Sequence, residues 1–197
     1  MKKIVFFSIG VFLFLLSCKK EEIKEAIQSQ TFEINATNST EWEYFSFSQN
    51  DTVSIINPAS SADWDLAFQR YRIRTNGGKS GNGQGCAANS YLTGQTGFDE
   101  LKIIPDTLTF VEDDSISIAV MQGYSTYLVN PELYKWFSME FVSQGTQIVP
   151  EDYIYVVKTG TGNYAKVWFK SYYSSENKSG YVTIQYKYQP DGSKNLE

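Results

Sequence analysis

The stretch YIYVVKTGTGNYAKVWFKSYY, residues 153–173, reads as two strands joined by a tight turn. Both arms are short, rich in β-branched and aromatic residues, and alternate in the manner of a half-buried strand. Between them lie Thr159, Gly160, Thr161, Gly162 and Asn163, and glycine and asparagine tolerate the positive φ angles that such a turn demands. The segment is therefore predicted to be one antiparallel hairpin. A second turn, Asn177, Lys178, Ser179 and Gly180, precedes another alternating run at residues 181–188, so the last three strands are expected to form a meander.

Moving towards the N-terminus, the same signal recurs. Trp42, Tyr44 and Ser46 oppose Glu43, Phe45 and Phe47; residues 53–56 follow; Trp64, Leu66 and Phe68 share one face; further runs occupy residues 115–120 and 136–142. The fold class is all-β, a single antiparallel β-rich domain. A helix is expected only around residues 131–136, where Asn130 can cap and Pro131 can open a single turn. No internal repeat recurs at solenoid or propeller spacing. Five glycines between Gly77 and Gly85 form the one low-complexity loop.

The 197 residues, 42% hydrophobic and 16% aromatic, suffice for one domain with a real core. Lys and Arg number 17 against 22 Asp and Glu, a net charge of −5. Such a balance argues against nucleic acid as a partner. There is no histidine, which removes imidazole bases, the usual triads, histidine zinc sites and histidine-ligated haem together.

Lys2 and Lys3 precede an apolar run at residues 4–16. It is too short to span a bilayer, which takes about 20 residues, and reads as a secretory signal. The run ends in Leu15, Leu16, Ser17 and Cys18 and resembles the lipobox of bacterial lipoproteins, with Cys18 acylated as the first mature residue. Several acyl chains anchor stably without a transmembrane helix, since each buried methylene contributes roughly 0.8 kcal/mol. Lys19, Lys20, Glu21 and Glu22 resemble an export tag for the cell surface, and serve equally as a charged tether. The expected organisation is a signal peptide at 1–17, lipidated Cys18 and a flexible tether to residue 30, the β domain at 31–190 and a tail at 191–197, on an outer-membrane lipoprotein exposed at the cell surface.

Conventional chemistry finds little purchase. Gly78, Lys79 and Ser80 suggest a phosphate loop, but a Walker motif needs glycine where Ile73 stands, and no helix follows. A close backbone approach between strands explains the glycines better. Asp63 with Asp65, and Glu112 with Asp113 and Asp114, bring carboxylates together without calcium-loop spacing, and a solvated face accounts for both clusters. Trp42, Trp64, Trp136 and Trp168 suit core packing more than a sugar platform. Cys86, without a disulfide partner once Cys18 carries lipid, is expected to be a buried thiol. No nucleophile and base converge, so the chain is not expected to be an enzyme.

WDLAFQRYRIRTNGGKSGNGQGCA, residues 64–87, resembles the signature of the HmuY family of haem-binding lipoproteins, and EWEYFSFS at 41–48 and GNYAKVWFKSYY at 162–173 resemble that family in the same order. The resemblance implies an all-β fold and capture of haem b for iron uptake at a bacterial surface. It also implies a TonB-dependent outer-membrane receptor and host haemoproteins as partners. Members hold the iron between a pair of histidines or, in others, a pair of methionines. Histidine being absent, the candidate ligands are Met121, entering the loop Gln122, Gly123 and Tyr124, and Met139, which shares a strand face with Phe137 and Phe141. Thioether sulfur favours ferrous iron, whereas Tyr124 or Tyr127 as a phenolate ligand would favour ferric. Arg70, Arg72 and Arg74 could meet haem propionates, though with 22 acids available a solvated or inter-strand ion-pair face explains them better. A lipoprotein that binds a glycan or other apolar ligand, or a transporter partner without haem, remains the competing class.

Overall fold

The computed structural model describes residues 26–120, 122–143 and 145–197. The expected signal peptide, Cys18, the tether to residue 25, and Met121 lie outside the described residues.

In chain order the elements are β1 (Gln30–Asn35), β2 (Glu43–Ser46), β3 (Asp51–Val53), β4 (Leu66–Gln69), β5 (Arg72–Thr75), β6 (Cys86–Thr93) and helix α1 (Gly94–Glu100). There follow β7 (Asp114–Val120), β8 (Gly123–Val129), a 3-10 turn (Leu133–Lys135), β9 (Phe137–Val142), β10 (Gly145–Pro150), β11 (Tyr153–Lys158), β12 (Tyr164–Tyr173) and β13 (Ser179–Gln189). The fold is all-β and antiparallel. A five-stranded sheet in the order β1-β13-β12-β11-β6 packs on a four-stranded sheet in the order β3-β2-β4-β5, while β7-β8 and β9-β10 stand as separate two-stranded hairpins.

The core fills the space between the two large sheets, and period-two alternation decides who enters it. Val182, Ile184 and Tyr186 of β13, Val167 and Phe169 of β12 and Tyr155 and Val157 of β11 meet Phe45, Leu66, Phe68 and Ile73 from the smaller sheet. Their neighbours Ile154 and Val156 turn to the other face of β11, where Phe98 and Leu101 of the α1 region, Ile104 and Leu196 cover them. Burial on both faces is why β11 reads YIYVV without a polar break. The hairpin of β11 and β12 and the meander into β13 match the sequence expectation.

Helix α1 was not expected. Its sequence, GQTGFDE, carries two glycines and no apolar stripe, and tertiary contacts hold it. Phe98 is buried against β11, and the Lys166 ammonium of β12 donates to the Phe98 and Leu101 carbonyls (2.8 Å to Leu101) at the helix end, satisfying acceptors that no later turn can reach. The 131–136 helix shrinks to the 3-10 turn, capped by Asn130 Oδ1, which accepts from the Glu132 and Leu133 N–H groups (3.1 Å each). Trp136 falls before β9 and is buried. Beyond residue 190 the chain packs too: Leu196 is buried and its N–H donates to the Lys102 carbonyl (2.7 Å).

The glycine-rich loop is a close approach, not a phosphate cradle. A Cβ on Gly77 would stand 2.1 Å from the Gly85 carbonyl oxygen, and one on Gly83 2.4 Å from that of Asn76. The loop wraps Asn76, whose Nδ2 donates to the Ser61 and Trp64 carbonyls (2.9 Å each). Two of the carboxylates expected in solvent are buried instead. Asp65 accepts from the Phe47 N–H (2.9 Å), and Asp113 accepts from the Thr75 N–H and hydroxyl and from Asn130. Neighbours supply donors that the one-dimensional pattern hides. Cys86 is buried as expected, and burial pushes its thiol up to about 11.

Candidate ligand site between two hairpins

In the first hairpin, antiparallel register places Ile116 opposite Tyr127 and Ile118 opposite Ser125 on one face, with Ser117 opposite Thr126 and Ala119 opposite Tyr124 on the other. Tyr124 and Tyr127 thus belong to different faces. Tyr124 is 78% exposed, whereas Tyr127 lies under the Arg72 guanidinium, 4.6 Å from its ring centre. Met121 follows β7 in the chain and lies outside the described residues.

The second hairpin pairs Phe137 with Pro150, Met139 with Ile148 and Phe141 with Thr146, so Phe137, Met139 and Phe141 form one stripe. Its inner end is rooted in the core: Ile148 is buried, and its N–H donates to the Tyr173 hydroxyl at the end of β12 (3.0 Å). Exposure then climbs outward, to 44% at Met139 and 89% at Phe141. An apolar stripe emerging into solvent costs free energy unless something covers it.

At the foot of this stripe lies an aromatic floor. The Phe137 ring stands 5.0 Å from Tyr71 and 5.5 Å from Tyr134, both tilted or edge-on; Tyr71 also meets Tyr134 and Tyr172. Burial first, and then the Tyr71 and Tyr127 phenols, push Tyr134 up to about 12 against the pull of Arg72, so it remains a protonated phenol. Arg72 Nε is buried and has no hydrogen-bond partner among the described residues. Floor, stripe and guanidinium together suit a flat apolar ligand with an anionic edge.

The three arginines divide their work. Arg70 sits in the β4–β5 turn at φ 56° and donates to the Thr37 and Ser179 carbonyls and to the Ser179 hydroxyl (2.9 Å), pinning the smaller sheet to β13. Arg72 and Arg74 share a face of β5; Arg74 lies over Trp42 (3.8 Å) and donates through Nε to the Leu128 carbonyl (3.0 Å), bracing the first hairpin. Aromatic rings take the place of the ion-pair face suggested by alternation. Trp64 and Trp136 are core residues, while Trp42 and Trp168 are half-buried, each with a cation over its ring. Tyr71 and Tyr134 were not singled out from sequence. The RYRIR alternation marked the strand, but only the fold brings Tyr71 to Phe137.

A groove of about 630 Å³ lies elsewhere, where Ala26 and Ile27 meet Tyr188 and the final residues. Tyr188 pairs with Ala165 at the start of β12, whereas Ile148, opposite Met139, bonds to Tyr173 at its end.

Residues 38–186 match the HmuY protein family. The chain belongs to the HmuY family. HmuY proteins are binding proteins rather than enzymes. Among curated proteins nothing matches. Solved structures with this fold include the apo HmuY analog of Tannerella forsythia, 22% identical with a TM-score of 0.65 over 86% of this chain and 100% of that one. A Bacteroides fragilis protein described as a lipoprotein is 23% identical with a TM-score of 0.62, covering 85% and 94%. A Bacteroides vulgatus protein described as HmuY-like and heme-binding is 24% identical with a TM-score of 0.61, covering 80% and 90%. At these identities the likeness establishes the HmuY fold.

Proposed function

We propose that this chain is a surface-anchored, hemophore-like lipoprotein that captures haem b for iron uptake, with the macrocycle between the two hairpins and Met121 and Met139 as axial ligands. The half-exposed thioether of Met139 carries this reading. It stands midway along an apolar stripe that rises from the core past a floor of tyrosines. Met121 falls in the chain between β7 and β8, and Met139 lies on β9. Haem supplies an iron that accepts thioether sulfur. Phe137 and Phe141 would offer it flat apolar contact, Tyr134, which stays protonated, would donate a hydrogen bond, and the Arg72 guanidinium beside Tyr127 would supply positive charge for a propionate.

Thioether is a soft ligand, so ferrous haem is held more tightly than ferric. Absorption spectra of the protein titrated with haem, with and without dithionite, test this. The expected result is a sharp low-spin spectrum on reduction, lost in Met139→Ala and in Met121→Ala. If both variants keep the reduced spectrum and affinity, the assignment is wrong. A second reading rests on the exposure of Tyr124: a phenolate ligand there predicts the opposite, ferric preference.

Acylation at Cys18 places the protein on the outer membrane, facing outward, where host haemoproteins supply haem and a TonB-dependent receptor takes it. Cys18→Ser should release it from the membrane fraction.

A further inference from the structure

Both hairpins depart from one polar junction. Asp113, buried immediately before β7, collects three donors: the Thr75 N–H (2.9 Å), the Thr75 hydroxyl (2.6 Å) and Asn130 Nδ2 (3.1 Å). Asn130, buried immediately after β8, gives the same Nδ2 to the Val111 carbonyl (2.8 Å). Its Oδ1 caps the 3-10 turn that leads into β9, and its N–H donates to the Ile73 carbonyl (2.9 Å). Val111 is bridged in both directions to Ala87 of β6. The glycine-rich loop closes over the junction: the Lys79 N–H donates to the Asp113 carbonyl (3.1 Å), and a Cβ on Gly78 would lie 2.5 Å from that oxygen. Two side chains therefore join both ends of the first hairpin, the start of the second, and strands β5 and β6.

We infer that the Asp113–Asn130 junction is a positioning device that sets the separation of the two hairpins and thereby the width of the ligand slot. This deepens the reading of the hairpins as a haem clamp and rests on it. Buried, fully bonded polar groups of this kind specify one geometry where apolar packing admits several. Neither residue touches the ligand; both act through the strands they hold.

Protonation supplies a readout that a merely structural residue would lack. Burial lifts the Asp113 carboxyl to about 6 against the donors that pull it down. The charged groups around it are Arg74 of β5, Glu112 on its own segment, and Asp114 in ion pair with Lys79 of the loop, and the titratable but neutral Cys86 thiol of β6 lies near them. A closed junction binds a proton more readily than one opened to water, so acid favours the closed state.

The test is the distance distribution between spin labels at Ser117→Cys and Glu140→Cys, both exposed positions, in the full chain carrying Cys18→Ser and Cys86→Ala. With Asp113 intact the distribution should narrow as pH falls from 8 to 5. Asp113→Ala should broaden it at both pH values; Asp113→Asn should recover part of the order and show no pH dependence. Thr75→Val, which removes one donor, should broaden it partially and serves if Asp113→Ala does not fold. Distributions in Asp113→Asn and Thr75→Val that coincide with the parent at every pH would overturn the inference.

Haem titration of the same variants separates the two ideas. At least a tenfold loss of affinity is expected in Asp113→Ala. Altered spacing with affinity within twofold of the parent would refute control of the slot. If the parent binds no haem while its spacing responds, the haem reading fails and the junction stands.

Discussion

The two large sheets and the two hairpins are made of similar residues and do opposite things with them. In the sandwich, Phe45, Phe68 and Phe169 are enclosed and their rings meet other core groups. On the second hairpin, Phe137 is half-buried and Phe141 is 89% exposed, although they lie on one face four residues apart. An isolated two-stranded ribbon has no second layer to bury its apolar face. The sandwich is thus where the chain stores stability, and the second hairpin is where it leaves apolar surface uncovered.

That contrast can be broken experimentally. The largest effect belongs to the sandwich: Phe68→Ala should lower unfolding free energy by about 3–5 kcal/mol in a denaturant titration, through lost burial and a residual cavity. A much smaller loss would mean that the sandwich is not the stabilising unit. On the hairpin, Met139→Ala should cost ten- to a hundredfold in ferrous haem affinity, about 1.4–2.8 kcal/mol, with little change in melting temperature.

The next effect sharpens the comparison through pH. Burial, the first cause in each, raises Asp65 and Asp113 to about 6, above their unfolded values near 3.8. The native state therefore holds more protons than the unfolded state between about pH 4 and 6. The resulting stability is fully present below that window and is lost as pH rises through it, on the order of 3 kcal/mol per carboxyl. Melting temperature should fall from pH 4.5 to 7, and Asp65→Asn should flatten part of that slope. The smallest expected effect is on stability in Phe141→Ser: within about 0.5 kcal/mol of the parent, because the ring is already in water. Its haem affinity should nevertheless drop.

What could be read without the fold, and what could not, follows the reach of each interaction. Alternation in residues 153–173 and 181–188 revealed the hairpin and meander because strand faces are a local property of period two. The stripe of Phe137, Met139 and Phe141 was legible for the same reason. Helix α1 was not, since Lys166 and β11 hold it from more than fifty residues away. The burial of Asp113 also escaped notice: an acidic triplet looks solvated until Thr75 and Asn130 arrive with their donors.

The amino-acid order by itself determined the all-β class, the absence of imidazole chemistry and which residues share a strand face, because composition and alternation need no partner from afar. Only the tertiary structure decided that Tyr71 and Tyr134 would gather against Phe137, that Arg72 would face Tyr127, and that two hairpins would spring from one buried junction. Those are meetings between segments far apart in the chain, and it is the packing of two sheets that brings them within reach.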